Sequence, residues 1–232
     1  MSLEKYCLEF SLIELQSTFY KLPETETAER WRDKVHEEFE FSLKAFQGIT
    51  HPISSPTWRK AGKQKPTEKL DNYGHLKPTK ENFDSWEKTM KIYKLLKARA
   101  LVVQLPPSFQ LSNESLRNTK DFFSSVKKPE LLCIEFRHKS WFQNLDKTRE
   151  LLESINAIHI TDPLLMKPLT LGKISYSRLH GLGKKAYKYK YKDDELRRIK
   201  LVLDNLGFKK SYILFNNIYM REDAKKFEKV IY

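Results

Sequence analysis

The chain has 232 residues, a comfortable length for one domain, and its 40% hydrophobic and 12% aromatic content is enough to build a core. Its 43 Lys and Arg residues outnumber its 30 Asp and Glu residues, so the net charge of +13 favours acidic partners without singling out nucleic acid. No apolar run approaches the roughly 18 residues that cross a bilayer, which excludes a membrane protein.

Short strand-like runs alternate with longer segments of helical periodicity, which is the pattern of β/α units. We predict seven strands, at residues 10–16, 39–46, 100–106, 130–137, 157–163, 173–181 and 211–217. Helices are predicted at residues 25–39, about 83–93, 112–126, about 146–154, 193–207 and at the end of the chain. Because the runs are continuously apolar, we expect parallel strands buried on both faces. Seven strands suit an open doubly wound sheet better than a closed eight-stranded barrel, so both architectures remain open at this point.

The segment 47–81 is too long and too rich in proline, lysine and polar residues for an ordinary connection. Connections of this length are usually functional or disordered. Trp58, Arg59, Tyr73 and His75 lie within the segment and argue for partial order.

Polar side chains end every predicted strand, where parallel α/β folds bind their ligands. The candidates for acid–base chemistry are Glu14, Glu135, Asp162 and His180. The candidates for substrate contacts are Lys44, His51, Gln104, Arg137, Arg178, Asn216 and Asn217. Alternation along a strand places Glu135 and Arg137 on one face, and likewise Arg178 and His180. Any one such residue is as often a cap or a rim salt bridge, but seven strands that end alike favour one shared cavity.

Two interpretations of these strand ends compete with a structural ion network. The carboxylates and imidazoles offer ligands for Zn²⁺ or Mn²⁺, but Lys44, Arg137 and Arg178 would project into the same space. We therefore leave the cofactor unassigned and do not favour a divalent metal. The favoured interpretation is that these three cations hold an anionic ligand, while a carboxylate or His180 transfers protons.

The tract 183–194 interleaves Tyr187, Tyr189 and Tyr191 with lysines. Basic groups that follow a phosphate backbone and aromatic rings that stack on bases hold single-stranded nucleic acids in this way. A solvated edge extension is the interpretation that we favour. The lysines between residues 60 and 80 allow the same two interpretations.

Several strand-end segments occur together in a recognisable order. They are IELQSTFYKLP with ERW, FSLKA with ITHP, VVQLPPSF, IEFRHKSWF, ITDP, YSRLHG with a Tyr-rich stretch, and YILFNN with DA. From about residue 9 to the end, this set resembles the YecE-like family, named the domain of unknown function 72. The resemblance implies a TIM-like β/α barrel, which we expect to be a single domain over residues 1–232.

The resemblance also exposes a departure at the start of the chain. Members of the family begin with a strand that ends in a Gly-rich, Trp-containing turn, whereas only MSLEKYCLE precedes FSLIEL here. We therefore expect either that the first barrel strand is missing or that residues 1–9 substitute for it. The family implies no established reaction, and a barrel alone does not choose one.

We expect an enzyme-like barrel whose strand-end mouth binds a phosphorylated or nucleic-acid ligand, with hydrolysis of a phosphate ester as the reaction. A noncatalytic nucleic-acid-binding protein is the first alternative, with affinity that falls steeply with salt. The second is a carbohydrate-processing barrel in which Glu14 and Glu135 stand roughly 5 to 10 Å apart. The distant cysteines Cys7 and Cys133 and the lack of a charged-then-apolar leader favour a cytoplasmic protein, and the oligomeric state is left open.

Overall fold

The computed structural model describes residues 1–183 and 186–231, which have an α/β fold. The chain groups into two units, Met1–Asn156 and Ala157–Tyr232. Within the described residues, no helix is both long enough and apolar enough to cross a membrane.

Four parallel strands form the sheet of the first unit, and they pair in chain order. They are β1 (Leu12–Leu15), β2 (Glu40–Lys44), β3 (Ala100–Gln104) and β4 (Leu131–Glu135). Each lies inside a predicted strand, so the sequence pattern located all four correctly. Phe41, Leu43, Leu101 and Val103 are completely buried on β2 and β3, as parallel strands covered by helices require.

Eight helices accompany these strands in the first unit. They are α1 (Leu3–Tyr6), α2 (Ser17–Tyr20), α3 (Thr25–Asp33), α4 (Gln47–Thr50), α5 (Lys80–Leu95), α6 (Asn113–Ser125), α7 (Ser140–Gln143) and α8 (Leu145–Ser154). At the start of α6, the Ser112 side chain accepts from the Ser115 N–H in a capping box. No strand precedes β1 in the described part of the chain, and residues 3–6 form α1.

Helix α3 ends six residues before the predicted boundary at residue 39. The reason is the Arg32 guanidinium, which donates to the carbonyl oxygens of His36 and Phe39 at 2.5 and 2.9 Å. These bonds hold residues 34–39 in a turn that leads directly into β2. Phe39 therefore reaches the core, at 1% exposure, from the turn and not from a helix.

The long segment 47–81 is made of short helical turns joined by irregular backbone. It contains α4 and three 3-10 helices, at Pro56–Lys60, Gly62–Gln64 and Leu70–Asn72. Trp58 is buried and its indole N–H donates to the Pro52 carbonyl at 3.0 Å. Asn82, also buried, accepts from the Gly74 N–H and donates to the Gly74 carbonyl, both at 3.1 Å. These side chains supply the partners that a buried irregular backbone needs.

The second unit contains β5 (Ile158–His159), β6 (Ile174–Leu179), β7 (Lys210–Phe215), α9 (Asp193–Asn205) and α10 (Met220–Ile231), with a 3-10 helix at Ala186–Lys188. Strands β6 and β7 are parallel, with Arg178 opposite Leu214. Their core includes Leu179, Tyr191 and Phe227. Gly207 follows α9 with φ of +72°, a left-handed conformation that favours glycine.

Strand β5 is much shorter than the predicted strand at 157–163. The chain turns after it, since the Asp162 carbonyl accepts from the N–H groups of Leu165 and Met166. Beyond His159, an isolated parallel bridge joins Thr161 to Ser177 of β6. The turn brings the Asp162 side chain to the carboxyl end of the strand.

Candidate functional site

The strand register places four of the predicted site residues on one face of the first-unit sheet. The paired positions are Glu14 with Ser42, Lys44 with Val102, and Gln104 with Glu135. Paired residues of a parallel ladder share a face, and so do residues two apart along a strand. Glu14, Lys44, Gln104 and Glu135 therefore lie on the same side, and we call this set the strand-end cluster.

Lys44 is a buried cation at the end of β2, with only 6% of its surface exposed. Its Nζ lies 3.9 Å from the centroid of the Phe19 ring, a distance at which the ring face attracts the ammonium group. The Thr18 hydroxyl lies 2.7 Å from the Lys44 carbonyl and 2.8 Å from the Leu15 carbonyl. Thr18 thus fixes the ends of β1 and β2, a role that no sequence motif indicated.

His51 lies just beyond β2 and is held in the neutral form. Burial, together with the positive charges of Lys44 and His75, lowers the pKa of His51 from 6.5 to about 3. The His51 Nδ1 lies 2.8 Å from the Thr50 hydroxyl, and the ring packs edge-on against Phe19 with centroids 4.8 Å apart. His51 can therefore exchange hydrogen bonds with a ligand near neutral pH, but it cannot contribute a positive charge.

Arg137 and Glu135 form an ion pair at the end of β4, with Arg137 Nη2 2.6 Å from Glu135 Oε1. Glu135 is 6% exposed, and the Arg137 side chain is about one-third exposed, at 32%. The shared strand face predicted from their spacing is consistent with this contact. The pair brings a planar guanidinium to the rim of the strand-end cluster.

Glu14 carries the negative charge at the β1 end of the cluster. Gln16 donates a hydrogen bond to Glu14 Oε1, so the two side chains are in contact. Burial, and after it the charge of Glu14, raises the pKa of the Cys133 thiol well above its usual value. Cys133 lies on β4 two residues before Glu135, so the charge of Glu14 reaches across this face of the sheet.

In the second unit, Asp162 forms a hydrogen-bonded group with Tyr191. The Tyr191 hydroxyl donates to Asp162 Oδ2 at 3.3 Å and accepts from the Gly181 N–H at 2.8 Å. Burial raises the pKa of Asp162, although the Leu164 N–H, the Tyr191 hydroxyl and the charge of His180 oppose the rise. Burial and the nearby Asp162 carboxylate raise the pKa of Tyr191 as well. The net result is a pKa of Asp162 above its ordinary value, with burial as the cause.

The other predicted site residues of the second unit differ in their burial and in their hydrogen bonds. Arg178 is 2% exposed on β6, while His180 and Asn216 are half-buried just after β6 and β7. The Asn217 amide donates to the Tyr189 carbonyl at 3.0 Å and to Asp223 Oδ2 at 3.1 Å. Its oxygen accepts from the Tyr219 N–H at 2.9 Å. These bonds anchor the start of α10, so they give Asn217 a structural task.

The predicted exposure of the tyrosine tract agrees with most of its described residues, but it is wrong for Tyr191. Tyr191 is 1% exposed in the core, and Tyr189 donates its hydroxyl hydrogen bond to Glu195. Only Tyr187, at 64% exposure, presents a ring to solvent among the three tyrosines. Residues 184 and 185 of the tract lie outside the described residues. A row of three stacking rings, as the nucleic-acid interpretation requires, is therefore not formed.

The described residues also contain no group of three or more His, Cys, Asp or Glu side chains placed to hold a metal ion. The predicted ligands are instead spread over separate strand ends. In the first unit, Glu135 is paired with Arg137 and Glu14 with Gln16. The donor set of each unit is therefore suited to hydrogen bonding and ion pairing.

Comparison with known proteins agrees with the motif resemblance. The family model described as "Protein of unknown function DUF72" matches residues 1–230. The UPF0759 protein YunF of Bacillus subtilis (strain 168) is 25% identical over 245 residues, which cover 93% of this chain and 80% of that protein.

Two crystal structures of DUF72 family proteins share the fold. The protein from Enterococcus faecalis V583 has a TM-score of 0.74 at 19% identity and covers 99% of this chain and 93% of its own. The protein from Thermotoga maritima MSB8 has a TM-score of 0.69 at 22% identity, with 97% and 85% covered. With a family model that spans almost the whole sequence, the chain belongs to the DUF72 family, whose members are of unknown function.

Proposed function

We propose that the strand-end cluster of the first unit binds an anionic ligand that carries a phosphate group. The observation that carries the proposal is the buried Lys44 on the same sheet face as Glu14, Gln104 and Glu135. A buried ammonium group loses its hydration and needs negative partners. A ligand anion adds to the partners that the protein itself supplies, at the end of the sheet where parallel α/β folds bind their ligands.

The cationic side chains of Lys44 and Arg137 bind a phosphate group in different ways. Lys44 is a compact point charge, whereas the Arg137 guanidinium is planar and donates parallel hydrogen bonds to two oxygens. Neutral His51 and Gln104 add hydrogen bonds without adding charge. The carboxylates of Glu14 and Glu135 limit the net charge of the cluster, so the site selects by geometry as well as by charge.

Hydrolysis of a phosphate ester is the reaction that we propose for this ligand class. In the first unit, Glu14 or Glu135 serves as the base that activates water. Taken by itself, the second unit offers its own candidates for proton transfer, namely Asp162, whose pKa is raised, and His180. Arg178 and Asn216 are the proposed second-unit ligand contacts, and Asn217 positions its neighbours. A closed β/α barrel that makes the chain one domain is part of the same proposal.

A purely structural ion network is the competing explanation, and the two differ in a measurable way. Removing one partner of a structural ion network leaves the other charge buried and unpaired, which lowers the stability by about 3–5 kcal/mol but does not change the affinity of the folded protein for an anion. Replacing a ligand-binding cation weakens the binding of the anion. The decisive comparison is therefore the stability and the anion affinity of the same variant.

The test uses Lys44→Met and Arg137→Gln, with Lys120→Met on the exposed face of α6 as the matched control. Inorganic phosphate is titrated calorimetrically, and p-nitrophenyl phosphate is used to measure turnover. Each site variant is expected to weaken phosphate binding about tenfold or more, since a hydrogen bond to a charged group contributes about 1.5–3 kcal/mol. Binding that is equal in all four proteins, with each variant folded by circular dichroism, would refute the proposal.

A further inference from the structure

A groove of about 720 Å³ lies in the first unit between α5 and the end of α6. Its apolar floor is formed by Phe83, Trp86, Met90, Leu95 and Val126, and we call it the α5 groove. No member of the strand-end cluster lines it, so it is separate from the site proposed above. Its volume falls in the range of about 300–1,000 Å³ typical of small-molecule sites.

The floor of the α5 groove is braced by aromatic packing. Phe83 stacks on Phe122 with ring centroids 5.4 Å apart, and Trp86 meets Phe122 edge-on at 5.5 Å. The Trp86 indole N–H donates to the Lys127 carbonyl at 3.1 Å, which ties α5 to the connection after α6. Because the polar atom of the indole is already bonded, the floor offers a ligand only apolar surface.

The rim of the α5 groove is positively charged. Lys91 and Lys94, three residues apart on α5, occupy neighbouring positions on one helix face, and Lys127 lies on the other side. All three are exposed, and Glu87 is the acidic residue in the lining. Three lysines against one glutamate leave the rim with a net charge of about +2, which complements an anionic head group.

We propose that the α5 groove binds an anionic amphiphile with a single apolar chain and a carboxylate head. The chain lies on the floor, and the carboxylate meets Lys91, Lys94 and Lys127 at the rim. A protein partner would need about 800 Å² of surface. Such an interface takes about 20–30 residues on each side, more than the ten residues that line the groove. A nucleic acid backbone would match the lysines but would leave the apolar floor unfilled.

Calorimetric titration with dodecanoate, below its micelle concentration, tests the proposal on the full chain. Saturable binding with one site is expected. Butanoate keeps the carboxylate without the chain and should bind at least a hundredfold more weakly. Dodecyltrimethylammonium keeps the chain with the opposite charge and should bind roughly tenfold more weakly. Equal affinity for the two twelve-carbon probes, or no saturable binding of dodecanoate, would overturn the proposal.

Variants locate the binding and keep it distinguishable from the strand-end cluster. Leu95→Glu places a like charge on the floor and should abolish dodecanoate binding. The double variant Lys91→Gln/Lys94→Gln should weaken it roughly five- to tenfold, since exposed charge contacts are individually modest. Lys120→Gln on α6 is the control. Dodecanoate binding that survives the groove variants but is lost in Lys44→Met would place the ligand at the strand-end cluster and refute a separate groove site.

Discussion

His51 is a buried, neutral histidine, and this predicts a specific dependence of stability on pH. Its pKa is about 3 in the folded protein, whereas the ordinary histidine pKa of 6.5 applies to the unfolded chain. As the pH falls below 6.5, the unfolded chain gains a proton that the folded protein does not accept. Protonation therefore favours unfolding, and the stability present above pH 6.5 is lost as the pH falls toward the folded pKa.

The size of the effect follows from the two pKa values. Between pH 6.5 and pH 5, the free energy of unfolding falls by about 1.4 kcal/mol for each pH unit, because only the unfolded chain takes up a proton. Over this interval of about 1.5 pH units, the protein loses about 2 kcal/mol of stability. The same loss is expected for any folded pKa below about 4, because the folded protein then stays unprotonated at pH 5. The burial of His51, at 4% exposure, keeps solvent from screening the effect.

Urea unfolding of the natural protein and of His51→Gln at pH 7, 6 and 5 measures this contribution. Glutamine does not titrate, and all other groups are common to both proteins. The difference in the free energy of unfolding should therefore shift by about 2 kcal/mol between pH 7 and pH 5, in favour of the variant. His36→Gln, at a histidine whose side chain is 46% exposed, controls for the loss of a histidine. Parallel pH curves for the natural protein and His51→Gln would show that His51 is not held neutral, and would refute the reasoning.

Two further predictions concern hydrogen bonding and backbone conformation, both measured by urea unfolding at pH 7. Tyr191→Phe should cost about 1–3 kcal/mol, because it leaves the buried Gly181 N–H without its hydroxyl partner, whereas exposed Tyr187→Phe should change stability by less than about 0.5 kcal/mol. Equal effects would contradict the buried role of Tyr191. Gly74→Ala should lower the stability by about 3 kcal/mol or more, since φ is +82° and an added Cβ would lie 2.5 Å from backbone atoms of His51 and Pro52. Gly62→Ala, with φ of +56° and open space around it, should cost only about 1–2 kcal/mol, and a similar cost at both glycines would refute the close approach.

Helices and strands whose hydrophobic residues recur at a regular spacing were predictable from the sequence. The helix α5 shows its apolar stripe at Phe83, Trp86, Met90 and Tyr93, and the structure places it at Lys80–Leu95. The strand β3 was equally plain because its run is apolar up to Gln104, and β2 because Phe41 and Leu43 alternate with polar residues. The predicted end of α3 was wrong because Arg32 binds the His36 and Phe39 carbonyl groups and so holds the chain in a turn, and hydrophobic periodicity does not reveal such a bond.

The strand-end residues were predictable for the same reason that the strands were. Polar groups at the carboxyl ends of apolar runs stand out, and alternation relates residues within one strand. Contacts between distant segments were not predictable. Thr18 reaches the Lys44 carbonyl, and Tyr191 reaches Asp162, across separations of 26 and 29 residues. The alternation of Tyr and Lys in the sequence suggested that Tyr191 is exposed to solvent. In the structure, its ring is buried in the core of the second unit.

The most direct measurement of the central claim is a crystal structure of the protein equilibrated with phosphate, with Lys44→Met crystallised under the same conditions. The account predicts electron density for one anion within hydrogen-bond distance of Lys44 and Arg137 in the natural protein, and its loss in the variant. Phosphate density confined to exposed lysines, with none at the strand-end cluster, would contradict the claim that this face of the sheet binds an anionic ligand.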